Sequence, residues 1–171
     1  LGLFTWNNLT FKDEANSEID IEFARWGRAD DPMTLQYAVH PIGGDTARLR
    51  RCETDPIIWN GISTHAFTWT DSLVIWESYL GENYGVGKPV CRFVFSIDNQ
   101  GRVKHESGQS SDPVIIPKPA ENTNVRMNLW LSKGPVVGPK GNVPTEVIIR
   151  KFNFVPQSVK ITTNTSEAFR G

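Results

Sequence analysis

The chain has 171 residues, with 18 basic and 19 acidic side chains and a formal net charge of −1 at pH 7. This length suits one domain with a sizeable core, so we expect a single domain over 1–171. The balanced charge argues against nucleic acid or an anionic membrane as the main partner. No apolar stretch of the sequence approaches the roughly 20 residues of a membrane span.

The predicted elements are almost all strands. Short segments rich in Val, Ile, Phe, Trp and Thr, separated by 11 prolines and 14 glycines, predict an all-β sandwich of many antiparallel strands. In chain order, the predicted strands are 17–25, 34–41, 63–70, 73–80, 91–97, 125–131 and 145–155. A turn signal at 98–101 predicts a hairpin, and the polar, proline-rich stretch 106–124 predicts a surface loop.

The most informative segment is Glu18-Ile19-Asp20-Ile21-Glu22. In a β-strand, successive side chains point to opposite faces, so all three carboxylates share one face while both isoleucines pack the core. Neighbouring carboxylates on one face repel each other when they are ionised. Folding alone therefore gives no reason for this row of acids.

The spacing of these acids agrees with a two-carboxylate mechanism. Glu18 and Glu22 are roughly 13 Å apart between Cα atoms, and side chains that lean toward each other shorten this to about 5–6 Å between carboxyl groups. Retaining glycosidases need about 5–5.5 Å, whereas inverting ones need roughly 6.5–9.5 Å. Asp20 between them is expected to push the two glutamate pKa values apart. The alternative is a solvated acidic strand or part of a calcium site.

The run from Ser17 to Phe23 resembles the catalytic strand of glycoside hydrolase family 16, which includes lichenases, laminarinases and xyloglucan-remodelling enzymes. Other stretches agree with this family in order and kind, namely Phe4-Thr5-Trp6, His65-Ala66-Phe67-Thr68-Trp69 with Val74-Ile75-Trp76, and Arg126-Met127-Asn128-Leu129-Trp130. The resemblance covers about residues 2 to 156. It implies a concanavalin A-like jelly-roll sandwich of two antiparallel sheets with a concave carbohydrate cleft, here expected to be incomplete at its N-terminal end.

The resemblance also implies the roles of the acids. Glu18 matches the nucleophile, Asp20 the intervening aspartate and Glu22 the acid/base, in the ungapped spacing of the lichenase and xyloglucan branches. Glu22 would protonate the departing glycosidic oxygen while Glu18 attacks the anomeric carbon. Glu22 would then deprotonate water, or a sugar hydroxyl, to release the glycosyl-enzyme.

Five further residues are predicted to bind substrate. Trp130 and Asn128 match sugar-contacting positions of the family, and because they are two residues apart they share a face of a strand. Phe4 matches an aromatic that borders the cleft. Trp26 suits a stacking role, and Arg25 suits a bridge to the acid/base glutamate or an anionic group. The alternatives are core packing for Trp130 and Phe4, and a loop-packing indole and a surface cation for Trp26 and Arg25.

Departures from the lichenase pattern bear on the substrate. Asn16 stands where lichenases have a tryptophan, and Ala38 and His40 stand where they have an asparagine and a tyrosine that grip the glucan. These changes argue against mixed-linkage glucan specificity and leave the acids intact. The histidine at His65 tends to be structural in the family, so we place it outside the site.

The predicted function is a retaining endo-β-glycanase that hydrolyses internal bonds of a β-glucan-like polysaccharide. The alternatives are a transglycosylase that uses the same residues and a lectin-like sandwich without turnover. The chemistry requires no cofactor and no metal ligands are predicted, although the family is compatible with a structural calcium ion. We expect a secreted monomer that binds polysaccharide and neither nucleic acid nor a membrane. Cys52 and Cys91 form either one disulfide or two thiols.

Overall fold

In a computed structural model of the chain, the structure describes residues 1–10, 15–28, 30–42, 48–54, 58, 61–98, 103–104, 116–118, 122–131 and 143–156. The chain divides into two compact units, Leu1–Val137 and Gly138–Gly171. The described strands all belong to the first unit. Within the described ranges, no helix has the length and apolar character needed to cross a membrane.

The described part of the first unit contains nine strands. They are β1 (Gly2–Trp6), β2 (Ile19–Phe23), β3 (Met33–Val39), β4 (Leu49–Glu53), β5 (Ser63–Trp69), β6 (Leu73–Leu80), β7 (Cys91–Ile97), β8 (Val103–Lys104) and β9 (Asn124–Asn128). Sheet A has the strand order β4-β3-β2-β1-β9, and sheet B has the order β5-β6-β7-β8. Every pairing between neighbouring strands is antiparallel. The predicted all-β class is confirmed.

The core lies between the two sheets because each sheet contributes one apolar face. Alternate residues of the central strands form one buried hydrophobic cluster, which contains Ile19, Ile21, Leu35, Tyr37 and Val39 from sheet A and Val74, Trp76, Cys91 and Phe95 from sheet B. Two antiparallel sheets that pack through one face each form a β-sandwich, here of the jelly-roll type. The opposite face of sheet A is left available for a site.

Trp76 links this core to the strand that carries the acids. Its ring is fully buried and is stacked between Tyr37, with ring centroids 5.8 Å apart, and Phe93, at 5.4 Å. A buried indole N–H needs a hydrogen-bond acceptor, and Trp76 Nε1 donates to the main-chain oxygen of Asp20 over 2.9 Å. The backbone of β2 is therefore held from the core side, directly behind its acidic face.

A disulfide joins the two sheets. Cys52 on β4 and Cys91 on β7 are bonded, with their Cα atoms 6.1 Å apart. The structure thereby decides between the two alternatives that the sequence left open. The cross-link fixes one edge strand of sheet A against a central strand of sheet B.

Most of the strand predictions are confirmed, within a few residues at each end. The predicted strands 17–25, 34–41, 63–70, 73–80, 91–97 and 125–131 correspond to β2, β3, β5, β6, β7 and β9. The hairpin is also confirmed, because β7 pairs with β8 on either side of the turn; residues 99–102 of that turn lie outside the described ranges. Strands β1 and β4 were not predicted.

Two predictions are wrong. The described residues 143–156 contain no strand, although the alternation over 145–155 favours one. A strand exists only where its backbone pairs with a neighbour, and no described residue pairs with this segment. The predicted loop 106–124 lies partly outside the described residues, but Ile116 and Pro117 are buried and not on the surface. The main-chain oxygen of Pro117 accepts a hydrogen bond from the Trp69 indole over 2.7 Å.

The disulfide generates a prediction about stability. Replacing both Cys52 and Cys91 with serine should lower the free energy of unfolding by about 3–4 kcal/mol, because the bond spans 39 residues of the unfolded chain. Urea unfolding followed by tryptophan fluorescence measures the difference. Reductant should destabilise the wild type and leave the double variant unchanged; equal stability of the two oxidised proteins would contradict the prediction.

Candidate active site

Two acids of β2, Asp20 and Glu22, lie on the face of sheet A that points away from the core, here called the acid face, and Glu18 lies directly before this strand. Asp20 lies opposite Phe4 of β1 and Ala38 of β3, and Glu22 lies opposite Gln36 of β3. Directly opposed residues of neighbouring strands share a face. The residues of β1 and β3 beside the acids therefore also belong to the acid face.

A tight turn sets the position of Glu18 at the start of β2. Asn16 and Ser17 adopt left-handed backbone conformations, with φ of 64° and 53°, which non-glycine residues adopt only when their surroundings hold them. The Asn16 side chain donates to the main-chain oxygen of Asn7 over 3.1 Å, and the Thr5 hydroxyl donates to the main-chain oxygen of Ser17 over 2.7 Å. Asn16 is thus buried in the turn and serves structure, where lichenases have a tryptophan.

His40 contributes a potential positive charge beside two of the acids. Its Nε2 lies 2.9 Å from Asp20 Oδ2, and its Nδ1 lies 3.9 Å from Glu18 Oε2. Burial by itself would lower the pKa of His40, but Asp20 and the charges of Glu18 and Glu22 raise it above its usual value. An imidazolium at this position offsets part of the negative charge of the cluster.

Glu22 has a different neighbour. The buried side chain of Gln36 donates from Nε2 to Glu22 Oε2 over 2.7 Å, and its Oε1 accepts a hydrogen bond from the Trp26 indole over 3.2 Å. The two outer acids of β2 therefore differ in their partners. Glu18 faces a titratable ring, whereas Glu22 faces a neutral amide.

Burial dominates the protonation of all three acids. It raises the pKa of Glu18 to about 7, with a further increase from the charge of Asp20 and a partial decrease from His40. Burial and Asp20 likewise raise the pKa of Glu22 to about 7, against the hydrogen bond from Gln36. The pKa of Asp20 is also raised by burial, against the effect of His40. The predicted separation of the two glutamate pKa values is absent, because burial acts on both and Asp20 lies between them.

A cavity of about 230 Å³ adjoins Glu22 and contains three of the predicted binding residues. Trp26, Trp130 and Arg25 line it, and the two indole rings meet edge to face with their centroids 6.3 Å apart. Trp26 is 37% exposed and Trp130 is 53% exposed, so neither ring is a core residue. Exposed indoles beside a carboxyl group provide the apolar surface on which sugar rings stack.

Phe4 and Asn128 also lie on the acid face, and each side chain already has a contact within the protein. Phe4 is half-buried opposite Asp20 and contacts Trp6 edge to face, with ring centroids 6.0 Å apart. Asn128 Oδ1 accepts a hydrogen bond from the main-chain N–H of Gly2 over 3.0 Å. A Cβ atom on Gly2 would lie 2.7 Å from that oxygen, so the contact requires glycine. The Asn128 side chain thus joins β9 to β1.

All eight predicted site residues therefore fall on the acid face or at the adjoining cavity, whereas two polar neighbours were not predicted. These are Gln36, and His40, which the sequence analysis names only as a departure from the lichenase pattern. The sequence feature that could have identified them is the period-two spacing of Gln36, Ala38 and His40. Once β3 pairs antiparallel to β2, that spacing matches the spacing of the acids.

His65 lies away from the acids, on β5 of sheet B. Its Nδ1 lies 2.7 Å from the Ser78 hydroxyl and its Nε2 lies 2.7 Å from the Ser63 hydroxyl. Burial lowers the pKa of His65 to about 4, so its ring is neutral at ordinary pH. The prediction that this histidine serves structure is confirmed.

Two of the acids and His40 also form a set of groups that could bind a metal ion. Among the described residues, Glu18, Asp20 and His40 each offer a ligand atom, and these atoms lie within 4.8 Å of one another. Two carboxylates and an imidazole are ordinary ligands for a zinc ion. A metal bound there would occupy Glu18, so metal binding and nucleophilic attack by Glu18 are competing uses of one cluster.

The raised pKa of Glu22 predicts a pH-dependent cost to stability. A carboxyl group with a higher pKa in the folded state than in the unfolded state destabilises the fold as pH rises from about 4.5 to about 7. Glu22→Gln should therefore raise the free energy of unfolding at pH 8 by about 1–2 kcal/mol, after allowance for partial exposure, and change it little at pH 4.

Urea unfolding at both pH values measures this effect. The matched control is Glu53→Gln, at an exposed position of β4, and it should show no such difference between pH 4 and pH 8. Equal effects of Glu22→Gln at the two pH values would show that the carboxyl group is not destabilised by its surroundings.

No protein-family model, curated protein or solved structure matches this chain. A functional assignment therefore depends on the residues of the site and their geometry. Those residues combine one buried and two half-buried acids, an imidazole, an amide and two exposed indoles on one side of one sheet.

Proposed function

We propose that this protein is a retaining endo-β-glycanase that cleaves internal β-glycosidic bonds of a polysaccharide. The observation that carries the proposal is the acid face itself, where Asp20 and Glu22 of β2, and Glu18 directly before it, occupy alternate positions of the chain beside an indole-lined cavity. Two of these acids have pKa values raised to about 7. Carboxyl groups that exchange protons near neutral pH are what general acid catalysis requires.

The proposed reaction has two steps. In the first, the Glu22 carboxyl gives its proton to the glycosidic oxygen as the bond from that oxygen to the anomeric carbon breaks, and the Glu18 carboxylate forms a new bond to that carbon. In the second, Glu22 takes a proton from water, the resulting oxygen bonds to the anomeric carbon, and Glu18 leaves as a carboxylate. Two displacements at one carbon retain its configuration.

The neighbours of the two glutamates support this assignment of roles. Nδ1 of His40 lies 3.9 Å from Glu18, and the imidazolium form of this ring lowers the pKa of Glu18, which favours the carboxylate that a nucleophile needs. Glu22 accepts a hydrogen bond from the neutral amide of Gln36, and burial is the largest cause of its raised pKa, which suits a group that must carry a proton. Because the cavity adjoins Glu22, its indoles would meet the sugar on the leaving-group side.

Transglycosylation is the second candidate function. The cavity beside Glu22 is the place where an acceptor sugar would enter in the second step, and its paired indoles favour sugar over water. The same acids would serve both reactions. A lectin without turnover has no need of three adjacent acids, and an inactive wild type would favour that alternative.

The extracellular location is part of the proposal. A disulfide between the sheets is typical of proteins that fold in an oxidising compartment. A polysaccharide substrate that cannot enter cells would also require secretion.

The nucleophile is tested directly by substitution. Glu18→Gln should lower kcat/KM on the best substrate of a β-glucan panel by at least about 10³-fold, because the glycosyl-enzyme cannot form. Reducing-end release measures turnover, and Glu53→Gln should match the wild type. Glu18→Ala with added azide should yield a glycosyl azide of inverted configuration. Unchanged turnover by Glu18→Gln would overturn the assignment.

The protonation of the pair predicts the pH profile. Catalysis needs one proton shared between Glu18 and Glu22, and both pKa values are about 7. We therefore expect kcat/KM to follow a bell-shaped curve with its maximum near pH 7, and not on the acid side of neutral. Initial rates from pH 4 to pH 9, with EDTA present, measure it. A flat profile, or activity abolished by EDTA, would contradict the mechanism.

A further inference from the structure

We propose that Trp26 and Gln36 form a positioning pair that determines which oxygen of Glu22 carries the catalytic proton. The inference rests on the proposed function, because it concerns the acid/base group of that reaction. It is carried by two consecutive hydrogen bonds, from the Trp26 indole to Gln36 over 3.2 Å and from Gln36 to Glu22 over 2.7 Å.

The first bond determines how the Gln36 amide is oriented. An indole N–H can only donate, so the atom of Gln36 that faces Trp26 must be the carbonyl oxygen. The amide nitrogen is then the atom that faces Glu22. A side-chain amide is usually ambiguous in orientation, and a neighbour that can only donate removes the ambiguity.

The second bond determines where the proton of Glu22 can sit. The amide nitrogen faces Glu22 Oε2 with an N–H group, so Oε2 must accept a hydrogen bond and cannot also carry a proton directed at that nitrogen. A protonated carboxyl group accepts hydrogen bonds best at its carbonyl oxygen, so the bond from Gln36 favours the acid form with its proton on Oε1. In the proposed reaction, Oε1 is the atom that protonates the glycosidic oxygen.

The pair also connects the acid to the cavity. Trp26 contributes its ring to the cavity wall beside Trp130, while its N–H holds the amide. A sugar ring stacked on Trp26 would therefore rest on the residue that orients the Glu22 proton. A purely structural bond would affect folding alone, whereas this arrangement also predicts an effect on the protonation of Glu22.

Kinetic variants test the role. Gln36→Leu removes the donor to the Glu22 carboxylate, and Trp26→Phe allows the amide to turn its oxygen toward Glu22. Either change favours the protonated acid, so the alkaline limb of kcat/KM should move upward by about half a pH unit or more, and kcat should fall by about tenfold. Trp130→Phe, which alters the same cavity, should raise KM without moving that limb.

A measurement without turnover separates this inference from the proposed function. In a ¹⁵N-labelled sample, the Trp26 indole N–H resonance, identified by its loss in Trp26→Phe, should titrate with a midpoint near pH 7. The titration should vanish in Glu22→Gln and in Gln36→Leu. The Trp69 indole, which donates to Pro117, is the control and should not follow that titration.

Each outcome is decisive. A Trp26 resonance that does not respond to pH overturns the positioning pair, even when the enzyme is active. A titrating resonance in a protein that hydrolyses none of the β-glucans overturns the proposed function and leaves the coupling from Trp26 to Glu22 supported. If Gln36→Leu does not fold, Trp26→Phe at the cavity surface supplies the kinetic test, and an unmoved alkaline limb in that variant overturns the inference.

Discussion

The rest of the site depends on three carboxyl groups, one buried and two half-buried, that lie side by side on and directly before the central strand of sheet A. Burial and mutual repulsion favour their protonated forms, so this arrangement costs stability at neutral pH and above. Three features of the fold stabilise the segment that carries these acids. Trp76 bonds to the backbone of Asp20 from the core, the disulfide joins the two sheets, and the strained turn at Asn16 and Ser17 sets where the strand begins.

The pKa values of the two glutamates do not distinguish their roles, since both are raised to about 7. The side chains beside the two glutamates do distinguish their proposed roles. His40 gives Glu18 a partner that can become positive, whereas Gln36 gives Glu22 a neutral donor that fixes one oxygen. The asymmetry comes from β3, which runs antiparallel beside β2. In the proposed mechanism, contacts with the next strand distinguish the acid from the nucleophile as much as burial does.

Several features could be predicted because they depend on local spacing. The acids of β2 must share a face in any strand, and the exposed indoles were identified from their positions near recognised motifs. The strand predicted at 145–155 shows where such reasoning is wrong, because alternation cannot say whether a backbone partner exists. The burial of Ile116 and Pro117 was missed for a similar reason, since composition does not report what covers a segment.

The amino-acid sequence by itself determined the all-β class, the approximate positions of six strands and the identity of the acids, since each follows from a period of two residues along the chain. Only the tertiary structure decided that Cys52 and Cys91 are bonded, that Gln36 and His40 stand beside the acids, and that burial raises the pKa values of both glutamates to about 7. These features depend on strand register and on burial between distant segments. Both are set by packing across the whole sandwich and not by any local pattern.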